Sequence, residues 1–145
     1  MQIREVLQVK PGSELIGVAP DATVTAAVAR MVEHGIGSLV VMQGDTLVGF
    51  ITERDIVRGM HRVGVCLTDY KVSELMEPEP LVVTPEDSVD YARDAMTKSH
   101  TSHLVVLDGS RLAGVISFHD VARACLKEAN FENALLKRYI KHWPE

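Results

Sequence analysis

Gly49-Phe50-Ile51-Thr52-Glu53-Arg54-Asp55 returns 65 residues later as Gly114-Val115-Ile116-Ser117-Phe118-His119-Asp120. Working outward from this pair, the stretch from Val18 to Arg58 lies over Val83 to Arg123 without a gap and is identical at 14 of 41 positions. The identities fall on Val18, Pro20, Val24, Ala27 and Met31, then on Leu39-Val40-Val41, then on Gly44, Leu47, Gly49, Ile51, Asp55 and Arg58. A βαββα unit needs residues of these kinds at these places, on a helix face, two paired strands and the turn between them. The chain is therefore an internal duplication. Stacked arrays usually need at least about three repeats, so two copies point instead to a closed pair with pseudo-twofold symmetry, of α+β class.

Within the first copy, Val24, Ala27, Val28, Met31 and Val32 share one helical face, with Asp21 or Thr23 as the cap and Gly35 at the place of a left-handed C-cap. Ser38–Met42 and Leu47–Thr52 read as strands joined by the turn Gln43-Gly44-Asp45, a hairpin. The second copy repeats this with Asp87 before Val89, Ala92 and Met96, then His103–Leu107, the turn Asp108-Gly109-Ser110, and Leu112–Ser117. A further helix starts near Thr52 and again near Ser117.

Ahead of each copy lie a short apolar strand, Leu15–Val18 or Leu81–Val83, and a small amphipathic piece, Ile3–Leu7 or Val72–Met76. The amphipathic pieces stand 69 residues apart, against 65 for the rest, and the four extra residues fall near a loop at Lys10-Pro11-Gly12-Ser13. The expected organisation is a first repeat over 1–62, a linker over 63–71, a second repeat over 72–127 and a helical tail over 128–145.

With 145 residues and 46% hydrophobic content, the chain supports one folded unit in which two repeats of this size stabilise each other. A formal charge of -5 and the lack of a long basic run argue against nucleic acid as the main partner. No apolar run reaches signal-peptide or membrane-span length, so no membrane role and a cytoplasmic location are expected. Cys66 and Cys125 are isolated, which fits a reducing compartment.

The repeated polar signature has two physical readings. Thr52-x-x-Asp55 and Ser117-x-x-Asp120 each fit a capping box, in which the hydroxyl and the acid satisfy backbone N–H groups at a helix start. A strand feeding a helix N-terminus is also a ready anion site. There Thr52 can donate to a phosphate, Arg54 can add a charge-assisted bond, and Asp55 can accept from two sugar hydroxyls. A ribonucleotide carries both groups.

Three motifs recur in order in both halves. They are Val72-Ser73-Glu74-Leu75-Met76 with its fainter twin Ile3-Arg4-Glu5-Val6-Leu7, then Val18-Ala19-Pro20-Asp21-Ala22-Thr23-Val24 with Val83-Thr84-Pro85-Glu86-Asp87-Ser88-Val89, and then the Gly-x-Ile-Thr/Ser-x-x-Asp ending. Together they resemble the cystathionine-β-synthase (CBS) domain, and the chain looks like a stand-alone tandem pair, or Bateman module, from about Ile3 to Cys125. The resemblance implies two clefts between paired sheets, each able to take an adenine ligand such as AMP, ADP, ATP, NAD or S-adenosylmethionine. Carried over by position, it implies that Asp55 and Asp120 hold ribose hydroxyls, and that Thr52 with Arg54, and Ser117 with His119, face phosphate. Gly37 and Ser38, with Ser102 and His103, would line the turn into each hairpin, while Ile16 and Val18, with Val82, would flank the base. Leu39-Val40-Val41 and Leu104-Val105-Val106 depart from the Leu-Pro-Val common in the family. His119 and Phe118 weaken the second site's hold on a polyphosphate, so the clefts should differ.

The chain beyond Ala129 has no counterpart in the first copy. It continues as helix, with Asn130 or Asn133 as a break, and Leu135, Leu136, Tyr139, Ile140 and Trp143 form a wide apolar stripe. A homodimer partner or the chain's own module can cover it, and the homodimer is the expectation. His100-x-x-His103 lacks a third ligand, so no metal is expected, and His34 and His61 read as solvated residues at helix ends. No nucleophile stands with a placed base, so the protein is expected to be non-enzymatic: either a nucleotide sensor relaying to an unidentified partner protein, or a module that only docks on an enzyme or redox protein.

Overall fold

The computed structural model describes residues 1–9, 15–64, 66, 67 and 69–141; the loop expected at Lys10-Pro11-Gly12-Ser13 and the stripe residue Trp143 lie outside them. In chain order the elements are α1 (Ile3–Val9), β1 (Gly17–Val18), α2 (Val24–His34), β2 (Ser38–Gln43), β3 (Thr46–Thr52), α3 (Glu53–Val63), α4 (Val72–Leu75), β4 (Val82–Val83), α5 (Val89–Ser99), β5 (His103–Asp108), β6 (Arg111–Ser117) and α6 (Phe118–Lys141). The βαββα order is present twice. It is an α+β fold in two compact units, one formed by Glu14–Leu81 and the other by Met1–Ser13 together with Val82–Glu145.

In the contiguous unit, a three-stranded sheet runs β1-β2-β3, with β1 parallel to β2 and β2 antiparallel to β3. The hairpin register pairs Ser38 with Thr52 and Gln43 with Thr46, leaving a two-residue loop, and Gly44 takes a positive φ of 64° as its first central residue. Val18, Leu39, Val41 and Ile51 on the sheet pack with Val24, Ala27 and Met31 of α2 and with Ile56 of α3. Thr23 rather than Asp21 caps α2, accepting from the Ala26 N–H at 3.1 Å, and Gly35 ends the helix at φ 63°, ψ 37°. The left-handed cap carries no Cβ penalty at glycine.

The second unit repeats the sheet as β4-β5-β6, pairing His103 with Ser117 and Asp108 with Arg111. Ser88 rather than the expected Asp87 caps α5, accepting from Tyr91 N–H at 3.0 Å, while Asp87 Oδ2 accepts from Thr84 N–H at 2.8 Å. His100 stands where the first repeat has Gly35 and adopts the same left-handed conformation, φ 52°, ψ 38°. The histidine singled out as half of a metal pair is therefore a helix C-cap. Among the described residues no group of three or more His, Cys, Asp or Glu gathers at ligand spacing.

The leading helices pack where the linear order of the chain does not place them. Ile3 and Val6 of α1 are buried in the core of the β4–β6 unit, and Val72 and Leu75 of α4 in the core of the β1–β3 unit. The hydrogen bonds repeat as well. Ile3 N–H donates to Asp87 O at 2.9 Å and Arg4 N–H to Pro85 O at 2.9 Å, while Val72 N–H donates to Ala22 O at 2.9 Å and Ser73 N–H to Pro20 O at 3.0 Å. Each leading helix thus covers the sheet that precedes or follows at a distance, not the one its own strand enters.

Contact with these helices explains two glycines on the strands. A Cβ at Gly49 would lie 2.5 Å from Met76 Sδ and 3.0 Å from Glu77 O, and one at Gly114 would lie 2.7 Å from Leu7 Cδ2. Next to Gly49, Phe50 N–H donates to Glu77 O at 2.9 Å and Glu77 N–H to Phe50 O at 2.8 Å, so the backbone there has no room to retreat. Gly49→Ala should cost about 1–3 kcal/mol by overpacking. Gly114→Ala meets only the far end of a leucine and should cost less, an ordering that urea unfolding of the two variants checks.

As far as Lys141 the tail is one helix. Asn130 and Asn133, expected to break it, lie inside the unbroken run of α6. Both are exposed, and on a helix surface asparagine costs only about 0.7 kcal/mol relative to alanine, too little to stop a helix flanked by good formers.

Candidate functional site

At the end of the first sheet where β1 and β2 begin and β3 ends, the chain passes straight from strand to helix. Ile51 is fully buried and Thr52 is the last residue of β3, so the strand is anchored immediately before the turn. Thr52 N–H donates to Asp55 Oδ2 at 2.9 Å, and Asp55 N–H donates to Thr52 Oγ1 at 3.2 Å, a closed capping box. The Thr52 hydroxyl also donates to Asp55 Oδ2 at 3.1 Å. All of these bonds to the carboxylate fall on Oδ2, and an ionised carboxylate has acceptor capacity well beyond them.

The second repeat builds the same turn. Ser117 N–H donates to Asp120 Oδ2 at 2.9 Å and Asp120 N–H donates to Ser117 Oγ at 3.1 Å. Asp120 is 8% exposed, the polar residue of the described core, whereas Asp55 is half-buried. The capping reading of the sequence is what the geometry displays in both copies. Each turn also places an exposed basic or titratable side chain on the first helical turn, Arg54 in α3 and His119 in α6.

The remaining candidates divide by position. Ser38 pairs with Thr52 across the hairpin, and Gly37 just before it accepts the Glu53 N–H at 3.0 Å. Ile16 is half-buried at the same end of the sheet, its carbonyl accepting from Val40 N–H at 3.4 Å. Gly37, Ser38, Thr52, Asp55 and Ile16 are therefore gathered at one sheet end. Val18 lies further along β1 and belongs to the core cluster. In the second unit, His103 pairs with Ser117, and Ser102 accepts the Phe118 N–H at 2.7 Å. Val82 opens β4 opposite Val105 with its side chain exposed.

Glu53 is the residue that sequence reasoning passed over. Its carboxylate lies over Gly37, where a Cβ would stand 3.0 Å from Glu53 Oε1, so glycine at 37 is what admits the acid. In the second repeat the two positions hold Ser102 and an exposed Phe118. Both positions differ between the copies, but so do 27 of the 41 aligned positions, so the alignment alone does not single the pair out. The first corner thus carries Glu53, Arg54 and Asp55, and the second an aromatic ring, His119 and Asp120.

A family model for the CBS domain matches residues 3–62 and again residues 72–127. The chain belongs to the CBS domain family. This CBS pair is 36% identical over 126 residues to the mitochondrial CBS domain-containing protein CBSX3 of Arabidopsis thaliana, a match over 83% of the chain and 61% of that relative. The chain thus spans less than two thirds of that relative's length. Among solved structures, it is similar to a protein with CBS domains from Burkholderia ambifaria, at a TM-score of 0.81 and 32% identity, covering 88% of this chain and 95% of that one. It is also similar to CBSX2, solved in complex with AMP, at a TM-score of 0.74 and 25% identity, covering 88% and 98% of the two chains. No helix among the described residues of the CBS pair is long and apolar enough to cross a membrane.

Proposed function

We propose that this CBS pair is a non-enzymatic regulatory module that binds an adenine nucleotide, of the AMP, ADP, ATP or NAD class, and relays its bound state to a partner protein. The observation that carries the reading is the strand-to-helix turn made twice with the same hydroxyl and carboxylate, Thr52 with Asp55 and Ser117 with Asp120. Such a turn offers backbone donors and a positive dipole end to phosphate, and a fixed carboxylate to a ribose diol. The AMP complex of the similar CBSX2 supports the ligand class. In this reading Thr52, Arg54 and Asp55, with Gly37, Ser38, Ile16 and Val18, serve one ligand, and Ser117, His119 and Asp120, with Ser102, His103 and Val82, serve a second. The module acts as a homodimer without nucleic acid or membrane, and a cytoplasmic location stays part of the proposal although one curated relative is named mitochondrial.

Thermal unfolding of the purified protein with AMP, ADP, ATP, NAD and S-adenosylmethionine in turn tests this. A ligand present at 100 times its dissociation constant stabilises the fold by about 2.7 kcal/mol. One adenine ligand should give that shift. Asp55→Ala should abolish the shift at its site, beyond the cap loss of about 1 kcal/mol that the same substitution costs the free protein.

A second reading has its own observation. The Thr52 hydroxyl already donates to Asp55, and the Asp55 and Asp120 N–H groups already donate to the Thr52 and Ser117 hydroxyls. If these side chains are caps and nothing more, the protein is an interaction module docking on an enzyme or redox protein. A panel flat at millimolar ligand selects that reading.

A further inference from the structure

Glu53 opens α3, and both its backbone and its side chain return to Gly37, the residue ahead of β2. Its N–H donates to Gly37 O at 3.0 Å. A Cβ built on Gly37 would lie 3.0 Å from Glu53 Cδ, 3.0 Å from Oε1 and 3.3 Å from Oε2, so the carboxylate lies with both oxygens against the glycine. Ser38, the next residue, pairs with Thr52 across the hairpin. A second carboxylate is thereby placed at the turn that already holds Asp55.

The attraction this corner offers an anion is limited. Of the N–H groups that open α3, that of Glu53 goes to Gly37 O and that of Asp55 to Thr52 Oγ1, while the Thr52 hydroxyl donates to Asp55 Oδ2. What draws a phosphate is the positive end of the helix and the guanidinium of Arg54, one cation between two acids in sequence. One phosphate can sit against that cation. Each further phosphate adds about one negative charge, meets the same two carboxylates, and finds no second cation in the first turn of α3.

Given the nucleotide function proposed above, we infer that Glu53 is a specificity-determining residue of the first corner, admitting an adenine ligand with a single phosphate and disfavouring a polyphosphate tail. The second corner is the internal contrast. Its capping bonds match, at 2.9 and 3.1 Å against 2.9 and 3.2 Å, but Phe118 and Ser102 stand at the positions of Glu53 and Gly37. An apolar ring replaces the acid, and residue 102 brings a Cβ where Gly37 has none. Charge selection by this acid therefore belongs to one of the two repeats.

Isothermal titration calorimetry of the full chain and of Glu53→Gln with AMP, ADP and ATP tests this, in magnesium-free buffer because a divalent cation would mask the charge being read. Glu53 is exposed and the substitution nearly isosteric, so the fold stays intact, which circular dichroism verifies. In the wild-type protein the affinity of one site should fall from AMP to ADP to ATP. Glu53→Gln should tighten ATP at that site by about tenfold and AMP by less than about threefold, flattening the series. A wild-type protein that binds ATP as tightly as AMP overturns the inference, as does a substitution that leaves the series unchanged or shifts all three ligands alike. Those failures need a bound nucleotide and leave the proposed function standing. Absence of binding by all three ligands to both proteins removes the nucleotide function, and the role of Glu53 with it.

Discussion

Ile3→Ala will destabilise the unit made of residues 82–141 by about 2–5 kcal/mol and leave residues 15–64 nearly as protected as before. Ile3 is fully buried, and its side chain sits among Val83, Val89, Met96, Leu104 and Ile116, not among the residues of the repeat it precedes in sequence. Removing most of a buried isoleucine loses its transfer energy and leaves a cavity in that cluster. Val72→Ala should do the reciprocal, loosening the Leu39, Val41 and Ile51 cluster, by a smaller amount because fewer atoms are removed. Native-state hydrogen exchange resolved by segment reads both. If Ile3→Ala raised exchange in β2 and β3 rather than in β5 and β6, the assignment of α1 to the second sheet would be wrong.

Ile51→Ala and Ile116→Ala should each cost about 2–5 kcal/mol, and the two values should be close. Both side chains are fully buried, both lie one residue before the capping hydroxyl, and both pair across the hairpin with an equally buried leucine, Leu39 or Leu104. Equal costs are the energetic counterpart of the internal duplication. Denaturant unfolding measures the two costs. These isoleucines also hold the ends of β3 and β6, so on the proposed function the stabilisation given by a nucleotide should fall with Ile51→Ala, although that side chain is fully buried. A large inequality between the two would mean that one core relaxes around its cavity and the other does not.

The hairpins, the α2 cap and the positive-φ turn glycines were legible because each depends on local chemistry: a period of two, a hydroxyl before an apolar face, a glycine between strands; at α5 the expected Asp87 lies one residue early, and Ser88 is the cap. The leading strands came out shorter than expected, Gly17–Val18 and Val82–Val83, because parallel pairing engages only the residues opposite Val40-Val41 and Val105-Val106. Which sheet α1 and α4 cover was not legible. Ile3–Leu7 and Val72–Met76 have the same amphipathic pattern, and either sheet offers the same apolar face to them. In the candidate site, the reciprocal bonds of Thr52 with Asp55 and of Ser117 with Asp120 followed from their spacing. The position of the Glu53 carboxylate over Gly37 did not, because it depends on a side-chain conformation that no spacing encodes.

The placement of α1 sets a timetable for the growing chain. The unit Glu14–Leu81 is one continuous segment and is complete once Leu81 has been made, whereas α1, made before it, waits for a sheet that ends at Ser117. At synthesis rates of about 5–20 residues per second, that wait is on the order of 10 s. During it the apolar face of Ile3 and Val6 has no native sheet to cover, so a nascent chain arrested just after its first repeat carries a folded unit with a sticky leader. Release of the second repeat, not completion of the first, is the moment at which Ile3 and Val6 gain their cover.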